Sequence, residues 1–250
     1  MVFQGLILFN TLKQDILNDE VLDIKGVKIP NFFKDNTDLQ FEFCHQFIEL
    51  YQDYVLQSKG YFSYEMENFE ISENDIIFDC GANMGMFAAY AATKGAIVHC
   101  FEPCSSTREL LYKTQELYPN NIIIHPFAIS NVSAEMEFIQ TDNIGANHLS
   151  KHQVNLGNRI LKKEKVQAIT IDDFIAQYDI IPTMIKMDVE GAELDALQGA
   201  MKTLKQHSPK CVIGVYHTYD MPQKIKMLIN NNLSNWQFVQ KQDNLFLYKI

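Results

Sequence analysis

Basic residues are in short supply in this chain. Across 250 residues, 21 Lys and Arg face 31 Asp and Glu, for a formal charge of −10. Affinity for nucleic acid depends on Lys and Arg neutralising phosphates, so this balance argues against a DNA or RNA partner. The densest basic cluster, Lys162-Lys163-Glu164-Lys165, reads as a solvated loop. Cysteine is sparse too. The five (44, 80, 100, 104 and 211) are an odd number without paired metal-type spacing, which implies reduced thiols in a cytoplasmic protein. No segment approaches the ~20 apolar residues that span a bilayer. The apolar stretch Gly5-Leu6-Ile7-Leu8-Phe9 lacks a basic flank and a cleavage site, so it does not read as a signal peptide. Internal repeats and low-complexity segments are absent as well.

An apolar content of 47% is enough for a substantial core. The length suits one large α/β domain with an elaboration, or two small domains. From about residue 71 onward, apolar runs alternate with amphipathic segments, the mark of βαβ units. Strands are expected at 76–79, 97–101, 121–128, 184–188 and 211–216. A terminal antiparallel pair is expected at 236–240 and 244–249, turned at Gln242-Asp243-Asn244. Ser106 and Glu109 form a capping box ahead of one helix. Leu194, Leu197, Met201 and Leu204 give a second helix one buried stripe, and Pro222 opens a third through about Asn230. Residues 142–165 break the alternation and read as a substrate-side loop or insertion, with Asn147 and His148 as candidate substrate contacts. Residues 1–70 read as an N-terminal helical and strand cap. Its aromatics (Phe32, Phe33, Phe41, Phe43, Tyr61, Phe62 and Tyr64) suit either a core or a stacking surface for a sugar.

Residues 76–87, Ile-Ile-Phe-Asp-Cys-Gly-Ala-Asn-Met-Gly-Met-Phe, are the most informative stretch. An apolar strand ends in Asp79, then turns through Gly81, Ala82, Asn83 and Gly85 into a small-residue helix. Open α/β sheets bind ligands at such strand ends. The dinucleotide pattern G-x-G-x-x-G is incomplete, with no glycine at position 86. A carboxylate here would repel a pyrophosphate but can help hold an ammonium group, which fits S-adenosylmethionine. Phe101-Glu102-Pro103 closes the next strand about 20 residues on, where an acid can accept hydrogen bonds from ribose hydroxyls. Pro103 pushes Glu102 toward extended geometry and ends the strand. Ala128, at the end of the third strand, joins the cofactor-side candidates.

Met184-Ile185-Lys186-Met187-Asp188-Val189-Glu190-Gly191-Ala192-Glu193 is the most unusual run. Lys186 and Asp188 share one face at a strand's carboxyl end. A lysine inside an apolar strand is costly unless paired or used. Glu190 and Glu193 read as first-turn acids of the following helix, favourable for its dipole, and as candidate substrate contacts. A helix that merely starts with acids explains them but leaves Lys186 unexplained.

These runs, with Thr170-Ile171-Asp172-Asp173-Phe174 and Leu197-Gln198-Gly199-Ala200, occur in the order seen in FkbM-type methyltransferases, which the chain resembles over roughly residues 60–250. The resemblance implies a class I methyltransferase fold, a Rossmann-like sheet of seven mostly parallel strands with a terminal antiparallel strand. It further implies S-adenosylmethionine as cofactor and an acceptor hydroxyl, often on a sugar of a glycan or natural product. Methyl transfer from a sulfonium is an in-line displacement in which alignment outweighs base chemistry. His217, after the apolar run 211–216, is the expected base, with Asp188 as a substrate or orienting residue and Lys186 fixing the orientation of Asp188 or the hydroxyl. Asp188, Glu190, Glu193 and His217 also offer hard ligands, but a metal is left out of the expectation. Three other readings stay open: a protein or RNA methyltransferase, an NAD-binding oxidoreductase and a non-catalytic cofactor-binding module. The absence of an Asn-Pro-Pro-Tyr motif favours oxygen over an exocyclic amine as acceptor.

Overall fold

The computed structural model describes residues 19–24, 26–32, 64–152 and 158–250. The helical part expected of the cap, most of its aromatics and Cys44 lie outside them. A hairpin of β1 (Val21–Ile24) and β2 (Val27–Pro30) comes first. The main body then runs β3 (Ile76–Cys80), α1 (Met86–Thr93), β4 (Ile97–Phe101), α2 (Ser105–Leu117) and β5 (Ile122–His125). It resumes with α3 (Ile171–Tyr178), β10 (Met184–Met187), α4 (Glu193–Gln198), α5 (Met201–His207) and β11 (Lys210–Gly214). The chain closes with α6 (Met221–Asn232), β12 (Trp236–Lys241) and β13 (Asn244–Lys249). Between β5 and α3 lies a smaller sheet of β6 (Phe127–Ile129), β7 (Ala134–Thr141), β8 (His148–Leu149) and β9 (Ile160–Ile169).

The main sheet has seven strands in the order β12-β13-β11-β10-β3-β4-β5. β10, β11, β3, β4 and β5 are parallel, and β13 pairs antiparallel with both β11 and β12. The expected turn is present, with Gln242 left-handed at φ 52°. The period of two along a strand sends Ile77 into one apolar layer, with Phe69, Phe87, Val98 and Leu111. It sends Phe78 into the other, with Phe101, Phe174, Leu197 and Ile213. Both faces are thus covered, as parallel sheets require. The β1–β2 hairpin packs Leu22, Val27 and Ile29 onto Met86, Ala89 and Leu110 of α1 and α2. Among the described residues, no helix is long and apolar enough to cross a membrane.

Four expectations are corrected. The strand read as 121–128 is two, because Pro126 has no N–H to continue the ladder. β5 stays in the main sheet, while β6 leaves it to pair with β9. The loop read at 142–165 holds β8 and the first half of β9, and Lys162-Lys163-Glu164-Lys165 is strand rather than loop. Its charges disguise it: Lys163 and Lys165 pair diagonally across the sheet with Glu137 and Glu135. The capping box does not form; α2 starts at Ser105 with Cys104 as N-cap. The single helix expected over 194–204 is broken into α4 and α5 at Gly199, where a Cβ would stand 2.2 Å from the Ser130 carbonyl oxygen.

Candidate active site

Three acids stand at the carboxyl ends of adjacent strands: Asp188 after β10, Asp79 in β3 and Glu102 after β4. The turn leaving β3 is built from left-handed residues, Gly81 at φ 79°, Asn83 at 50° and Gly85 at 85°. Gly81 and Ala82 donate to the Phe101 carbonyl at 3.0 and 3.2 Å, closing the turn against β4. Gly85 is the N-cap of α1.

Glu102 is buried at this corner. Its Oε2 accepts the Asn83 amide at 3.0 Å and its Oε1 the Cys104 amide at 2.9 Å. Burial raises its pKa to about 7, against the lowering effect of those amides. Arg108, in the first turn of α2, reaches back to the Glu102 carbonyl at 2.9 Å and to that of Pro103. Asn147 leans on the same corner, placing Nδ2 3.7 Å from Cys104 Sγ while its Oδ1 accepts the Thr141 amide. Ala128 and His148 are placed differently. Ala128 is buried in an apolar cluster with Cys104, Phe138 and Ala192. His148 is buried in β8 and bonds the Ala146 carbonyl through Nδ1 at 2.8 Å, so its ring serves the small sheet.

Lys186 is paired, as its cost demands. Its Nζ lies 3.0 Å from Asp79 Oδ1 and 3.0 Å from the Gly81 carbonyl, with the rings of Tyr64 and Phe87 nearby. Its burial favours the neutral amine, but Asp79 and Asp188 outweigh that and raise its pKa. Burial raises the Asp79 pKa in turn, with Lys186 opposing. The Lys186 ion pair engages Asp79 Oδ1, leaving Asp79 Oδ2 and Asn83 Oδ1 as buried acceptors without a hydrogen-bond partner.

Beyond β10, Asp188 donates its amide to the Cys80 carbonyl at 3.0 Å. Its Oδ1 accepts Tyr216 OH at 2.9 Å and its Oδ2 accepts Tyr64 OH at 3.3 Å. Glu193, fully buried at the start of α4, accepts the Val189 and Gly191 amides at 3.0 and 3.3 Å. Glu190 lies before the helix, left-handed at φ 51°, and not in its first turn.

His217 bridges these acids. Its Nε2 is 3.1 Å from Glu190 Oε2 and 3.9 Å from Asp188 Oδ1, while Nδ1 is 3.2 Å from Glu193 Oε1. Burial disfavours its charge, but Glu190 and Glu193 more than compensate and raise its pKa to about 11. An imidazolium has no lone pair, so while Glu190 and Glu193 hold its proton His217 does not suit the role of general base expected for it; displacing that proton would free Nε2 as a ligand. Tyr216, Tyr64 and Arg108 are the site residues that sequence reasoning missed. Tyr216 directly precedes His217 and Tyr64 was among the cap aromatics, but neither position signalled a bond to Asp188.

A family model described as "Methyltransferase FkbM domain" matches residues 79–239. The hexuronic acid methyltransferase AglP of Haloferax volcanii is 28% identical over 162 residues, which are 64% of this chain and 64% of that protein. The crystal structure of Methyltransferase FkbM from Methylobacillus flagellatus aligns with a TM-score of 0.56 at 20% identity, covering 98% of this chain and 59% of that one. The chain therefore spans less than two thirds of the length of either, and the second likeness is one of fold.

Proposed function

The chain belongs to the methyltransferase FkbM family, and on that footing we propose that it transfers a methyl group from S-adenosylmethionine to a hydroxyl on a sugar. The sugar in this reading belongs to a glycan, a glycolipid or a natural product. The observation that carries the reading is the row of Asp188, Asp79 and Glu102 at adjacent strand ends, with the Gly81 turn between them.

The residues present fit that cofactor. Asp79 Oδ2 and Asn83 Oδ1 are buried acceptors without hydrogen bonds, suited to a cationic amino-acid tail. Each Glu102 oxygen spends one lone pair on a backbone amide and keeps another for a ribose hydroxyl. Gly81, Ala82 and Gly85 bring backbone to the same place, and Pro103 turns the chain away from it. Bound there, the cofactor supplies an electrophilic methyl on a sulfonium whose departure needs no proton.

The chain's own contribution is alignment. Positioning is worth about 7–11 kcal/mol, whereas a general base adds about 10²–10⁴-fold. Asp188 is assigned to hold the acceptor hydroxyl and receive its proton, its two oxygens steadied by Tyr216 and Tyr64. Lys186 ties Asp79 to the Gly81 turn, Glu190 is assigned to the acceptor, and Asn147 reaches it from the Cys104 corner. Residues 71–250 form the transferase unit in this reading, with 1–70 as its cap. The sugar acceptor is supported by the relative named as a hexuronic acid methyltransferase.

The test is transfer of labelled methyl from S-adenosylmethionine to separated glycans and glycolipids, protein, RNA and small metabolites, with Glu102→Ala as control. Label in carbohydrate that the control loses is the expected outcome. Label confined to protein or RNA would overturn the acceptor class.

A further inference from the structure

Asp188, Glu190 and His217 converge from two loops on one point. One ligand atom from each lies within 4.8 Å of the other two. His217 Nε2 is 3.1 Å from Glu190 Oε2 and 3.9 Å from Asp188 Oδ1. An ion with ligands at about 2.0–2.3 Å in octahedral geometry has neighbouring ligands roughly 3 Å apart and opposite ones roughly 4–4.6 Å apart. The 3.1 Å separation fits neighbouring ligands and the 3.9 Å one falls between the two spacings, so side-chain movement of about an ångström brings the atoms onto an octahedron.

From this we propose that Asp188, Glu190 and His217 bind a divalent cation, Mg²⁺ or Mn²⁺, that holds the acceptor's oxygens beside the cofactor. The inference rests on the methyltransferase reading for its role, though not for its geometry.

Two observations point to a cation rather than to an ordinary ion pair. The charge balance is unfinished: Lys186, the nearby lysine, is spent on Asp79 and the Gly81 carbonyl. Among the described residues, only His217 then forms an ion pair with Asp188 or Glu190. The second concerns the far nitrogen of His217. Nδ1 faces Glu193, a fully buried carboxylate fixed by two backbone amides. Metal-binding histidines are oriented in this way, with a carboxylate behind the ring and the other nitrogen turned to the metal.

Two carboxylates and one imidazole form a hard set that leaves about half of an octahedron for other oxygens. A sugar with neighbouring hydroxyls can fill two of those places. A cation held there would lower the pKa of a bound hydroxyl, whose proton would pass to the Asp188 oxygen not on the cation or to solvent as the C–O bond forms and the C–S bond breaks.

The experiment titrates the full-length, chelator-stripped protein with Mn²⁺ and follows loss of the free-ion electron paramagnetic resonance signal. One bound Mn²⁺ per chain, displaced by Mg²⁺, is expected. Binding should be lost in Glu190→Gln and in His217→Gln and weakened about 10–100-fold in Glu193→Gln. Thermal melting and S-adenosylhomocysteine binding of each variant show that it is folded. Tyr216→Phe should still bind Mn²⁺. Absence of a bound ion in the folded wild-type protein, or undiminished binding in both Glu190→Gln and His217→Gln, would overturn the site. Mn²⁺ bound as expected but label found only in protein or RNA would leave the site standing and sink the sugar reading. Carbohydrate labelling that is unaffected by chelation, with no ion bound, would do the reverse.

Discussion

Gly81 and Asp188 touch through their backbones: a Cβ on Gly81 would stand 1.9 Å from the Asp188 carbonyl oxygen. The turn of β3 and the end of β10 are thereby locked together, and with them the cofactor corner and the acceptor side. Gly81→Ala adds a left-handed conformation at φ 79° to that clash. The left-handed cost alone is about 1–2 kcal/mol, and the backbone must also separate. A loss of more than about 2 kcal/mol in urea unfolding is expected, with S-adenosylhomocysteine binding abolished. A variant of wild-type stability would show that the strand ends are not rigidly joined.

If Glu102 holds the ribose as proposed, cofactor affinity should depend on pH. Its folded pKa is raised to about 7 by burial, and only the carboxylate can accept from both ribose hydroxyls. S-adenosylhomocysteine affinity should therefore hold above pH 7 and weaken as pH falls through it, by at most tenfold per unit. Stability of the ligand-free protein responds with the opposite sign. A carboxyl whose folded pKa lies above its unfolded value costs stability at high pH, and relief comes as pH falls from above 7 toward 4.5. Calorimetric titration of wild type and Glu102→Gln from pH 6 to 8 separates this from other groups. A parallel slope in both proteins would remove Glu102 from the ribose site.

The acids and glycines of this site were legible because each broke a local pattern: an acid ending an apolar strand, a lysine inside one. Two of the runs behind the family resemblance turn out to be a clasp instead of a site. Thr170 Oγ1 caps α3 at the Asp173 amide, and the Asp172 carboxylate caps α5 at the Lys202 and Thr203 amides. The Asp172 amide donates to the Gly199 carbonyl at 2.9 Å, which latches the two motifs together. The small sheet was hidden for a different reason. β9 is mostly exposed and charged along its first half, so no period of apolar residues marks it. Long-range partners leave no local trace at all. That Tyr64 meets Asp188, or that Glu193 stands behind His217, is a product of topology.

His99 and His125 form a stacked pair on β4 and β5, with Nδ1 of His99 2.9 Å from Nε2 of His125. Burial lowers both pKa values, that of His125 to about 4 with His99 also contributing. The folded protein thus binds fewer protons than the unfolded chain. Stability from the pair is full above pH 6.5 and is lost as pH falls toward 4. His125→Phe keeps an aromatic ring against Phe101 and Phe174 and removes the titration. Its melting temperature should decline less than that of the wild type between pH 6.5 and 4. Equal declines would assign the acid sensitivity to other groups.

Lys186 and Asp79 test whether the buried pair serves stability or binding. Removing one partner leaves an uncompensated buried charge, at a cost of about 3–5 kcal/mol, whereas replacing both with neutral groups can be nearly neutral. Lys186→Met alone should therefore destabilise strongly, and adding Asp79→Asn should restore most of the loss. If Asp79 is protonated in the folded protein, Lys186→Met costs less than about 1 kcal/mol and the second change restores nothing. The double variant carries the functional information. Folded but without the carboxylate, it should bind S-adenosylhomocysteine more weakly, because Asp79 Oδ2, beside Asn83 Oδ1, is a buried unsatisfied acceptor in the proposed cofactor corner. Full affinity in a stable double variant would mean that the pair only holds β10 to β3, and the amino-acid tail would then have to be held elsewhere.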